Sequence, residues 1–188
     1  MHRRTLAIFL AFAALCLAFP GKAQEHTRQW VRWEYARIQI PEEASSLYAD
    51  TPSVQGTYAA GALAENVQTS ALMYVNFLRA LAYLPPVRLE DVYSLRAQHG
   101  AVLLAANDRL EHDAPQPQDM SGDFYECAHI GTLSSNIAAL NWATPDVLLN
   151  AMEYFCRDDG EENLPVMGHR RYLLSPLLGK TGLGLAQS

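Results

Sequence analysis

Residues 168–184 constrain the fold more than any other stretch. They read Gly-His-Arg-Arg-Tyr-Leu-Leu-Ser-Pro-Leu-Leu-Gly-Lys-Thr-Gly-Leu-Gly: two apolar runs divided by turn residues. Gly168 permits a backbone conformation that other residues resist, and it sets His169 at the mouth of an expected strand over 171–174. The turn residues over 175–179, then the alternation of Leu183 and Leu185, predict a second strand folding back on the first. A rigid sheet holds side chains at its loop junctions, and functional groups collect there. On residue chemistry alone His169 reads most simply as a surface histidine beside a hairpin.

The N-terminal residues predict export. His2-Arg3-Arg4, the apolar run 6–19 and the exit Pro20-Gly21-Lys22-Ala23 have the layout of a secretory signal peptide, residues 1–23. The run is shorter than the roughly 20 apolar residues of a membrane helix. Leu15, just before Cys16, is too bulky for a lipoprotein cleavage site. The expectation is a secreted or cell-surface chain with no lipid anchor and no membrane span after cleavage. The formal charge of −6 on 188 residues becomes more negative when Arg3, Arg4 and Lys22 leave. That acidity argues against nucleic acid and anionic lipid as partners, although Arg170-Arg171 remains a local basic spot. The rest is long enough to bury one core. Cys127 and Cys156 remain after cleavage; in an exported chain they read as one disulfide, the alternative being two buried reduced thiols.

Residues 24–63 read as an extended arm with Trp30, Trp33 and Tyr35 as anchors and room for a short helix before Pro41. Asn66 is placed to cap a helix whose apolar face is Val67, Ala71, Leu72, Val75, Leu78 and Ala82, and which Pro85-Pro86 stops. A second helix, over 90–106, takes Val92, Leu95, Val102, Leu103 and Ala106 as its stripe, with His99 at the core edge. The Asp, Pro, Ser and Gly content of 107–131 predicts a loop. Thr144-Pro145-Asp146 starts a third helix. It buries Val147, Leu148, Ala151, Met152 and Phe155, and fades over 158–160. The chain has no Gly-rich phosphate loop, zinc-finger spacing or nucleophile elbow.

The order of these parts resembles a known family. Asn76 and Arg79 lie on the first long helix, and Leu-x-His-x-x-Pro follows the second at 110–115. Ser135-Asn136-Ile137-Ala138, a further helix, Gly-His-Arg-Arg and Gly-x-Gly come after. Together, over residues 64–188, they resemble the CAP superfamily: cysteine-rich secretory proteins, antigen 5 and plant pathogenesis-related 1 proteins, also called SCP-like extracellular domains. The bacterial branch is the most similar. The resemblance implies an α/β chain built as an α/β/α sandwich, with a small antiparallel sheet flanked by helices. Family members continue past the Gly-x-Gly strand into another strand, so this sheet is expected to lack its last strand, or the chain to be a truncated product. An open edge of that kind favours aggregation.

The family cleft holds two histidines and two acids. His112 and His169 match the histidines. Ser135 stands where the family has the glutamate of Gly-Glu-Asn, and Asn136 follows it. Glu153, or more loosely Asp158, matches the second acid. His129 has no place in the motif and reads as structural. Two neutral imidazoles can hold zinc if water or a carboxylate completes the shell, and a carboxylate would orient one of them. With serine at 135, weak metal binding is expected, and general-base chemistry lacks a partner to set the tautomer. The resemblance therefore implies a module that leans away from catalysis. It would bind a small molecule, lipid, peptide or cell-wall component through His112, Ser135, Asn136, His169 and Arg170. The alternatives are a metal-assisted hydrolase of peptide or cell-wall bonds, with His112 and His169 as catalytic groups, and a structural extracellular module that makes its contacts through Trp30, Trp33 and the arm.

Overall fold

The structure is a computed structural model and describes residues 26–38, 40, 47–141, 144–158, 160–161 and 164–187. The expected signal peptide lies outside them. Among the described residues six helices and two small two-stranded sheets make a mixed α/β fold.

Helix α1, Arg28–Ala36, is the short helix expected before Pro41; Thr27 caps it by accepting a hydrogen bond from the Trp30 amide at 3.1 Å. Tyr35 meets Tyr74 and Phe77 edge-on. The second half of the arm folds back on itself instead of lying extended. Strand β1, Tyr48–Asp50, pairs antiparallel with β2, Ala62–Leu63, and Leu47 and Leu63 are buried in the main core. Gly61 has φ +62°, and a Cβ there would lie 2.4 Å from the Asp50 carbonyl oxygen, so this return requires glycine.

Helix α2, Glu65–Leu81, buries Val67, Ala71, Tyr74, Val75 and Arg79. Asn76 ties it to the following segment by donating to the Val87 carbonyl at 3.0 Å and accepting from the Val87 amide at 2.8 Å. Helix α3, Asp91–Asn107, departs from the expected stripe. Val92 and Leu95 are exposed, and Gln98, Gly100, Val102 and Leu103 face inward. The reason is the partner it meets. Helix α4, Gly122–Leu133, occupies much of the predicted loop, and the two helices touch backbone to backbone. A Cβ on Gly131 would fall 2.1 Å from the Arg96 carbonyl oxygen. The Ser-Gly-Asp that suggested a loop is the helix start: the Ser121 hydroxyl accepts from the Phe124 amide at 3.3 Å.

Helix α5, Val147–Arg157, begins just after the expected start: Asp146, not Thr144, is its N-cap, without a side-chain cap bond, and Thr144-Pro145-Asp146 form the turn before it; the helix ends at Asp158 in the left-handed conformation, φ 48°. The predicted strand over 171–174 is instead helix α6, Gly168–Leu173. Met167, at φ 46°, makes the turn, and helical bonds run from the Arg171 amide to the Met167 carbonyl and from Leu174 to Arg170. A short apolar run does not by itself distinguish helix from strand. Strand β4, Lys180–Thr181, consequently has no hairpin partner there. It pairs parallel with β3, Arg88–Leu89. The sheet content is thus one antiparallel and one parallel pair, where a single antiparallel sheet was expected.

The main core joins α2 and α5 with Val87, Leu173 and Leu183, and a smaller cluster of Leu103, Ala114, Met120 and Ala128 sits by α3 and α4. Arg79 is fully buried. Its guanidinium donates to the carbonyls of Pro85, Leu173, Ser175 and Leu178 at 2.8–3.0 Å, which compensates the burial of the charge and fixes the path after α6.

Candidate functional site

The left-handed turn at Asp158 sends its carboxylate back toward the start of α6. One oxygen accepts from His169 Nδ1 at 2.9 Å and the other from the Arg170 amide at 3.2 Å, and the residue is 1% exposed. Burial works to raise this carboxyl. The His169 hydrogen bond, the Arg170 amide and the two neighbouring charges outweigh it and hold the group below the ordinary carboxylate range. Because an ionised carboxylate only accepts, Nδ1 carries the proton and Nε2 of neutral His169 is left as an acceptor. The ring stacks on Phe155 with centroids 5.2 Å apart. Asn136 donates to the His169 carbonyl at 3.0 Å.

Asp158 is therefore the acid that partners His169. Glu153 is exposed on α5, 3.8 Å from Arg157. Arg170, expected to bind a ligand, is turned inward. Its guanidinium donates to the Cys156 and Arg157 carbonyls and lies 3.3 Å from the Met167 sulfur, capping the end of α5.

His112 is exposed, and its Nδ1 is 2.8 Å from the Thr132 carbonyl. The two histidines are thus both tethered to the segment 132–136, one through its ring and the other through its backbone. No hydrogen bond or ring contact joins them. Among the described residues no group of three or more His, Cys, Asp or Glu side chains is gathered to hold a metal ion. Beside the two histidines, the described residues thus gather no third protein ligand for the zinc that the resemblance implies.

Cys127 on α4 and Cys156 on α5 are free, and the expected bond between them is not formed. Burial raises both thiols. His129, expected to be structural, lies 2.8 Å from Asp113 and stacks on Tyr125. His99 sits half-buried against Phe124.

Ser135 and Asn136 line two adjoining cavities of about 570 and 650 Å³. Both also share Ala97, Met152, Phe155 and Leu183 in their walls. Phe155 links the parts, because it walls both cavities and stacks on His169. Of the two acids the resemblance offered for the cleft, the looser one, Asp158, is the partner of His169, and the preferred one, Glu153, is not. No family model, curated protein or solved structure matches the chain.

Proposed function

We propose that this chain is a secreted CAP-like binding module with the family's α/β/α layering, and that it takes an apolar-bodied ligand beside Ser135 and Asn136. The carrying observation is that these two residues, which lie on the motif that resembles the family, line both cavities together with Met152, Phe155 and Leu183. A site of this size with apolar walls and a few polar groups is the usual form of a small-molecule pocket. Ser135 and Asn136 supply the polar contacts, and His169 braces the segment from behind through the Asn136 bond. Export rests on the signal-like residues 1–23, and among the described residues no helix is long and apolar enough to cross a membrane.

The test uses an anilinonaphthalene sulfonate dye as the probe. Saturable fluorescence enhancement by the folded protein is expected. It should be lost in Ser135→Trp, which fills the cavities, and kept in His112→Ala. A folded protein that gives no enhancement counts against the reading.

The Asp158–His169 pair favours one second reading, a metal-independent hydrolase. A carboxylate on Nδ1 leaves Nε2 free to take a proton from water. Activity on a simple ester or peptide that survives chelation and is lost in His169→Ala would support it; activity unchanged in His169→Ala would remove it.

A further inference from the structure

The run 179–187, which holds strand β4, is covered on three sides. Along one edge, the Arg88 amide donates to the Gly179 carbonyl at 3.2 Å and the Glu90 amide to Thr181 at 2.9 Å. Farther along, the Gln98 side chain bonds both the amide and the carbonyl of Leu185, at 3.1 and 2.7 Å. One face rests on α3 so closely that a Cβ on Gly182 or Gly184 would lie within 2.3 Å of the backbone at Tyr93 or Ala97. The other face buries Leu183 in the main core. Among the described residues β4 has no strand on its second edge. The cavities border this run in sequence: the larger along 177–183 and the smaller along 182–187. With both faces and one edge covered, they lie along the free edge. A strand edge with no neighbouring strand, set inside a walled groove, is the geometry of strand addition.

The charge of the groove narrows the occupant. Arg96 and Lys180 are the charged residues in the wall of the larger cavity. Lys180 is 2.8 Å from Glu90, while Arg96 has no carboxylate partner among the described residues. In a chain of net charge −6 this unpaired cation marks a place for a negative group. We propose that the free edge over 179–187 takes an extended peptide from a partner protein as an added strand, with a carboxylate of that peptide at Arg96. This rests on the reading that the cavities are the binding site.

Random eight-residue peptides displayed on phage, selected against the purified protein, test it. The expected products are rich in β-branched residues and carry one Asp or Glu. The best one, made synthetically, should slow amide exchange over 179–187. Its affinity should fall about tenfold on N-methylation of alternate amides and by a similar factor in Arg96→Ala, with most of it kept in Arg96→Lys. Three results would overturn the proposal: no enriched sequence, affinity indifferent to N-methylation, or protection that falls elsewhere. A free protein already dimeric, with protection over 179–187 lost on dilution, would give the edge to a second copy and also overturn it. If peptides fail while the dye still binds, this inference falls and the small-molecule pocket stands.

Discussion

His169 and His112 each direct Nδ1 at an oxygen, at 2.9 and 2.8 Å, yet the oxygens differ in kind. Beneath His169 lies a buried carboxylate that also holds the Arg170 amide, and the ring rests on Phe155. Beneath His112 lies a single main-chain carbonyl, and the residue is exposed. A carbonyl fixes where a ring points. An ionised carboxylate only accepts, so it also fixes which ring nitrogen carries the proton. Two residues matched to one motif thus have unequal structural support.

The largest expected effect comes from removing that support. Asp158→Ala leaves the Arg170 amide and His169 without their acceptor inside the fold and should destabilise by about 3 kcal/mol. His112→Ala should cost about 1 kcal/mol or less. Paired denaturant titrations check this, and equal losses would break the comparison.

The pH profile comes next. The folded-state pKa of Asp158 lies below its ordinary value, so the native protein binds fewer protons there than the unfolded chain. Its contribution is complete above the ordinary carboxylate value of about 3.9 and is lost as pH falls through the lower folded value. Stability measured between pH 6 and pH 2 should show this loss in the wild type and in His112→Ala, and a flatter curve in Asp158→Asn. An unchanged curve in Asp158→Asn would mean that other carboxylates govern acid unfolding.

A smaller effect is expected at Asn136. Removing its bond to the His169 carbonyl in Asn136→Ala should cost about 1 kcal/mol and shift the His169 ring resonances while those of His112 stay in place. Movement of both would mean that the segment 132–136 transmits between the two histidines.

The smallest effect sharpens the contrast through the thiols. Burial raises both, but the Arg170 charge works against burial at Cys156. Iodoacetamide followed by mass spectrometry should find two slowly reacting cysteines, and Arg170→Ala should slow Cys156 by a few-fold without changing Cys127. Equal slowing of both would remove the local assignment.

The helices that bury an aliphatic stripe were legible in sequence. Helix α2 runs close to its predicted bounds before Pro85-Pro86, and α5 starts at Val147, within one turn of the predicted Thr144-Pro145-Asp146. Helix α4 was not, because its capping residues are the residues of a turn and its contact with α3 runs through Gly131. Periodicity cannot register a helix face that works by lacking side chains. Residues 171–174 illustrate a different limit: the bonds to Met167 and Arg170, not the apolar pattern, decide for helix. At the site, His112, His169, Ser135 and Asn136 could be named from the motif. The choice of Asp158 over Glu153 required the left-handed turn that ends α5.

Arg79 addresses only main-chain oxygens, and every residue type carries one. The side chains over 175–178 therefore take no part in being recognised. Leu177, 93% exposed, can change without loosening the clamp, whereas Leu178 packs against the main core and the Ser175 hydroxyl accepts from the Leu177 amide. At Leu177 the segment is anchored without being spelled. That makes this one position a place where sequence can diverge, or a label can be introduced, while the path into β4 stays the same.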